Sequence, residues 1–217
     1  MKRFLTLILT ALVIGLGGCS KPTESHLRGY YMLIDTSGTY TQEIKKAQQI
    51  INFILADLNT GETFAVARVD SGSFSEKDIV AKVTFDSRPS VTNDQKRQFR
   101  EKVDKFVKTV KPAAYTDISG GLLQASAHLT ETGVGKKTIL IFSDMKEELP
   151  KGHKRDFTVP LEGFGVFAVN VTKLRSDNVD PREYLDRLEE WRKKVETGGG
   201  EWKVINDLER LDALVTG

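Results

Sequence analysis

The chain has 217 residues, 32 lysines and arginines against 30 aspartates and glutamates, and one cysteine. That length suits a single domain with a real core, and one cysteine excludes a disulfide within the chain. Nearly balanced charge, with no basic block interleaved with aromatics, argues against nucleic acid as a partner.

The chain opens on a basic start, Met1-Lys2-Arg3, followed by an apolar run from Phe4 to Leu16 and then Gly17-Gly18-Cys19. A short basic start, an apolar core and small residues before a cleavage point are the grammar of a secretory signal. The run is too short for a spanning helix, which needs about 20 apolar residues. Leu16-Gly17-Gly18-Cys19 resembles the lipobox of bacterial lipoproteins. That resemblance implies loss of residues 1–18 and lipid attachment to the Cys19 thiol, and several acyl chains anchor stably where one binds only marginally. Removing Lys2 and Arg3 leaves 30 basic against 30 acidic side chains, a formally neutral mature chain. The resemblance further implies a lipid-anchored protein of the bacterial cell envelope. In a Gram-negative cell, Ser20 after the cysteine is compatible with the outer membrane, facing the periplasm, rather than the inner one. Residues 19–29 read as the lipidated cysteine and a polar tether. Ten extended residues reach about 33 Å, so the domain at 30–217 is expected close to its membrane.

Tyr30 to Ile34 is a continuous apolar run, as in a strand buried on both faces. Ile44, Ala47, Ile51, Ile54, Leu55 and Leu58 then repeat at helical spacing. Thr63 to Val69 reads as a strand, and Ile79 to Phe85, broken by Lys82 and Thr84, as a more exposed strand near the sheet edge. Phe99, Val103, Phe106 and Val110 mark a second helix, and Ile118, Leu122, Ala125 and Leu129 a third. Thr138 to Phe142 and Gly165 to Val171 are further buried strands. Asp180-Pro181-Arg182-Glu183 offers a capping acid, a proline at the first helical position and a glutamate three residues on. The helix it opens is expected to bury Leu185, Leu188, Trp191 and Val195, and to end at Gly198-Gly199-Gly200. Trp202 to Ile205 is a candidate last strand, followed by a short helix containing Leu208 and Leu211. Alternating strands and helices predict an α/β fold, a mainly parallel sheet with helices on both faces.

In such sheets ligands bind at the carboxyl ends of the strands, where strand order reverses. Three polar clusters fall there: Asp35-Thr36-Ser37-Gly38-Thr39, Tyr115-Thr116-Asp117, and Ser143-Asp144. They supply oxygen donors, which a hard cation such as Mg²⁺ prefers. His26, His128 and His153 are scattered and offer no zinc cluster.

Asp35-x-Ser37-x-Thr39, then Thr116, then Asp144 resembles the metal-ion-dependent adhesion site of von Willebrand factor A domains. Thr116-Asp117-Ile118-Ser119-Gly120-Gly121-Leu122 is similar to that family's threonine loop running into a small-residue helix. The resemblance spans Tyr30 to about Leu214. It implies a Rossmann-like fold with one antiparallel edge strand, and Mg²⁺ or Mn²⁺ ligated by the hydroxyls of Ser37 and Thr39, with Thr116 binding directly or through water. Asp35 and Asp144 would contribute charge, largely by holding coordinated waters. The implied function is binding without catalysis: a protein partner presents an Asp or Glu that completes the metal shell.

Two rivals carry weight. A metal-independent assembly lipoprotein would use the same fold without depending on the five site residues. A metal-dependent hydrolase would use Asp35 as a nucleophile, but haloacid-dehalogenase-like phosphatases want a second aspartate where Ser37 stands. Asp-Thr-Ser-Gly also differs from the aspartic-protease Asp-Thr-Gly by an inserted serine. Lys146-Glu147-Glu148 is a candidate rim of the binding face. The basic run Lys151-Gly152-His153-Lys154-Arg155 is either solvated surface or a contact for an acidic partner or lipid headgroups.

Overall fold

The computed structural model describes residues 25–38, 40–70, 72 and 75–207. The first apolar run forms strand β1 (Arg28–Asp35), two residues longer at its start than the apolar pattern. Its side chains alternate between two cores, Tyr30, Met32 and Ile34 on one face and Tyr31 and Leu33 on the other, as the two-residue period of a strand requires. The early start rests on Arg28, whose guanidinium pairs with Glu62 and Asp57. Arg28 and Gly29, assigned to the tether for want of apolar character, belong to this strand.

The remaining strands are β2 (Thr63–Val69), β3 (Ile79–Thr84), β4 (Lys136–Phe142), β5 (Phe164–Val169) and β6 (Glu201–Ile205). They form one sheet in the order β3-β2-β1-β4-β5-β6. β2 and β3 pair antiparallel, and every other pair is parallel. β3 is the expected exposed edge, with Lys82 and Thr84 facing solvent.

Helices α1 (Ile44–Asp57) and α2 (Pro89–Thr109) cover one face, packing Ile50, Ile54, Phe99 and Val103 against β1 and β2. Helices α3 (Ile118–Glu131) and α4 (Arg182–Thr197) cover the other through Leu122, Ala125, Trp191 and Val195. Asp180 receives the Arg182 N–H at the start of α4, and Gly199, at a φ of +87°, ends it as glycine readily does.

One expectation for α4 needs correcting. Leu185 is 63% exposed, and Tyr184 packs against the core in its place. At 100° per residue, Leu185 stands about 120° round the helix from Trp191, whereas Tyr184 lies within about 20° of it. The apolar identity of Leu185 had masked its position.

Among the described residues no helix is long and apolar enough to cross a membrane. The expected signal, Cys19, Thr39 and the helix of Leu208 and Leu211 lie outside the described residues.

Candidate metal centre

The strand order turns between β1 and β4, since β1 leads outward to β2 and β4 leads the opposite way to β5. Two acidic residues sit at the carboxyl ends of these neighbours: Asp35 closes β1, and Asp144 follows β4 by two residues. Both are almost fully buried.

Asp35 is held by two donors. Its Oδ1 accepts the Ser37 N–H at 2.8 Å, and its Oδ2 accepts the Ser143 hydroxyl at 2.6 Å. Ser143 Oγ in turn accepts the Met145 N–H at 3.0 Å. Asp144 accepts the Lys146 N–H at 2.9 Å, and its backbone carbonyl takes a bond from Arg187 Nε at 3.0 Å. Among the described residues neither carboxylate forms a salt bridge. Burial therefore dominates their titration. It raises the Asp35 carboxyl above its ordinary value against the pull of Ser143 and Ser37. It pushes Asp144 up to about 6, with the nearby Asp35 charge adding to the effect and the Lys146 N–H opposing it.

Thr116 reaches the same place by a different route. Its backbone exchanges two hydrogen bonds with Glu148, at 2.7 and 3.0 Å, tying its loop to the one after Asp144. The loop after β1 is tied down as well. Ala113 donates to the Thr36 carbonyl at 2.7 Å, and Thr36 Oγ1 donates to the Val69 carbonyl at 2.9 Å. Tyr40, buried just beyond Thr39, hydrogen-bonds through its hydroxyl to the carbonyl and side chain of Asn170.

These loops enclose a concavity of about 260 Å³, lined among others by Ser37, Thr116, Asp144, Lys146, Glu148 and Leu174. The structure thus brings Ser37, Thr116 and Asp144 to one surface, with Asp35 bonded to the Ser37 backbone. Among the described residues there is no cluster of three or more His, Cys, Asp or Glu that could hold a metal. The donors at this concavity are hydroxyls and carboxylates, a chemistry that suits a hard cation such as Mg²⁺ or Mn²⁺ better than zinc. The two buried acids, which form no salt bridge among the described residues, would be stabilised as carboxylates by a nearby positive charge.

Asp117, next to Thr116, is fully buried. It caps α3 by accepting the Gly120 N–H at 2.9 Å and pairs bidentately with Arg155. The basic run 151–155 is therefore not all solvated surface, because its last residue turns inward. Glu147 likewise leaves the expected rim to accept the N–H and hydroxyl of Ser119, while Lys146 and Glu148 do line the concavity. Gly120 and Gly121 are small for a steric reason. A Cβ on Gly120 would stand 2.5 Å from an Asp117 carboxylate oxygen, and one on Gly121 would meet Leu33 at 3.0 Å. Arg155, Arg187 and Tyr40 had no signature in the sequence, since each works through a partner far along the chain.

No family model matches the sequence, and no curated protein matches it. Solved structures do resemble it. A von Willebrand factor type A protein from Catenulispora acidiphila matches with a TM-score of 0.55 at 15% identity, over 88% of this chain and 41% of that one. The pilus adhesin SpaC from Lactobacillus rhamnosus GG, in an open conformation, matches with a TM-score of 0.55 at 11% identity, over 90% of this chain and 30% of that one. The chain spans less than half the length of either. The mainly parallel six-stranded sheet, its antiparallel edge pair and its flanking helices are those of a von Willebrand factor A-like fold.

Proposed function

We propose that this chain is a membrane-anchored extracytoplasmic binding module that recognises a protein partner through a divalent cation, Mg²⁺ or Mn²⁺. The observation that carries this reading is the meeting of Ser37, Thr116 and Asp144 around one concavity at the sheet's reversal point, beside the buried Asp35. Ser37, Thr39 and Thr116 would hold the ion, with Asp35 and Asp144 orienting its waters. A bound ion would supply an electrophilic position open to an Asp or Glu of the partner. Lys146 and Glu148 at the wall would select among partners by charge. A similar structure that is itself a pilus adhesin supports binding as the theme. Catalysis has less support, because the Ser143 hydroxyl is committed between Asp35 and Met145 and His128 packs against Tyr31.

The anchor would be lipid on Cys19, with residues 1–18 removed. The fold would then stand close to an envelope membrane, the outer one facing the periplasm if the cell is Gram-negative.

A metal-independent assembly role is the second reading. It is favoured by the internal satisfaction of Asp35, both of whose oxygens already have protein donors.

The deciding experiment is titration of Mg²⁺ and Mn²⁺ into the chain lacking residues 1–18 and carrying Cys19→Ser, by calorimetry and thermal melting, with Ser37→Ala alongside. An ion at 100 times its dissociation constant should add about 2.7 kcal/mol of stability. A shift present in the parent and lost in Ser37→Ala supports the metal site. A folded parent that binds neither ion favours the metal-independent scaffold.

A further inference from the structure

The backbone after β4 takes an unusual path. Met145 has a φ of +65°, a left-handed conformation that a bulky L-residue holds only where its surroundings over-determine it. Those surroundings come from α4. Arg187 Nε donates to the Asp144 carbonyl at 3.0 Å, and one turn later Trp191 Nε1 donates to the Met145 carbonyl at 2.9 Å. Two consecutive carbonyls of the strained segment are thus held by two side chains four residues apart on one helix face.

Arg187 has a second attachment. Its terminal nitrogens bond both oxygens of Asp177, at 3.1 and 2.8 Å, and the Asp177 carboxylate is fully buried. Asp177 Oδ2 also accepts the Leu174 N–H at 2.7 Å. Leu174 lines the concavity of Ser37, Thr116 and Asp144. Beside it runs a groove of about 560 Å³ containing Arg187 and Trp191, and the two hollows share Lys146 and Leu174 in their walls. One guanidinium therefore ties together the Asp144 carbonyl, the turn that carries Leu174, and α4.

We propose that Arg187 is a positioning residue for the site at Asp144. It sets the place of the Asp144 carboxyl and of the Leu174 wall through a planar fork that no other side chain reproduces. The inference rests on the metal-binding reading above and assigns part of that site's affinity to α4, an element carrying none of the five donor residues. Any partner or substitution that displaces α4 would loosen the site from behind.

Arg187→Lys is the informative variant. Its ammonium can still neutralise buried Asp177, so the chain should fold, but it cannot deliver the fork to Asp177 and a third bond to the Asp144 carbonyl at once. A second variant, Arg187→Gln with Asp177→Asn, removes both charges together and leaves no buried ion unpaired. Two readouts apply to both variants. In metal-free protein, amide hydrogen exchange at Met145 and Lys146 should quicken while Gly120, capped by Asp117, keeps its protection. In calorimetry, Mg²⁺ and Mn²⁺ affinity should fall about tenfold or more, as when an outer partner of a metal ligand is lost.

Folded variants with parental exchange at Met145 and Lys146 and parental affinity overturn the role of Arg187 while leaving the metal site standing. Parental affinity in Arg187→Lys, with loss confined to the double variant, also overturns it, because charge alone would then suffice. A parent that binds neither ion overturns the metal reading and this inference with it.

Discussion

The Ser143 hydroxyl stands 2.6 Å from Oδ2 of Asp35 and joins the carboxyl ends of β1 and β4, 108 residues apart in the chain. Ser143 Oγ also accepts the Met145 N–H, so one hydroxyl satisfies two buried groups. Ser143→Ala leaves a buried carboxylate oxygen and a buried N–H without partners. The expected cost is about 1–3 kcal/mol, read as a lower urea midpoint with an unchanged slope in metal-free buffer. An unchanged midpoint would mean that the two groups find other donors and acceptors.

Asp144 gives the metal-free protein a pH dependence of stability opposite in sign to the pH dependence expected of the proposed metal binding. Burial raises its folded-state value from 3.8 to about 6, and Asp35 is raised in the same direction. A carboxyl raised by folding favours the native state in its protonated form. Its stabilising contribution is full below about pH 4 and is lost as pH rises through 6. In EDTA, Asp144→Asn should therefore be less pH-sensitive than the parent between pH 4 and 7. Under the proposed function the ion would need the carboxylate, so metal affinity would run the other way. It should be about tenfold weaker at pH 5 than on the plateau above pH 7. Calorimetry across that range checks the second arm, and melting curves check the first.

The parts of this fold legible in the sequence are those whose signal is local. β1 and β4 show as unbroken apolar runs because both faces are covered. Asp35, Ser37, Thr116 and Asp144 stand out because polar residues follow directly on such runs or lead into a helix. What stayed hidden depends on contacts across the chain. Tyr40 meets Asn170 from 130 residues away, Arg155 meets Asp117 from 38, and Arg187 meets the Asp144 carbonyl from 43. A basic loop gives no sign of which arginine turns inward. The two residues added at the start of β1 were illegible for a related reason, since Arg28 and Gly29 lack apolar character and Arg28 is held by an ion pair.

Gly120 tests the cap of α3, the helix that follows Thr116. Alanine is the better helix former by about 1 kcal/mol at an ordinary interior position. Here its Cβ would stand 2.5 Å from an Asp117 oxygen that also serves Arg155. Gly120→Ala should consequently destabilise the fold, reversing the usual sign. Placing alanine in an Asp117→Ala background should recover part of the loss, because the clash goes with the carboxylate. A stabilised Gly120→Ala single variant would show that the cap shifts freely.

Tyr184 and Leu185 are neighbours in the first turn of α4 with opposite surroundings. Tyr184 packs against the core, and its hydroxyl accepts a bond from Asn206 at 3.0 Å. The Arg187 guanidinium lies 5.6 Å from its ring centre. Leu185 faces solvent. Leu185→Glu should then shift stability by no more than about 0.5 kcal/mol. Tyr184→Ala should cost about 1–2 kcal/mol, part of the 1.5–3 expected for a fully buried large side chain. Because Tyr184 stacks beside Arg187, its loss should also weaken metal binding more than an equally destabilising change in α2, such as Phe106→Ala. Equal effects of those two substitutions on affinity would confine Tyr184 to packing and separate the first turn of α4 from the proposed site.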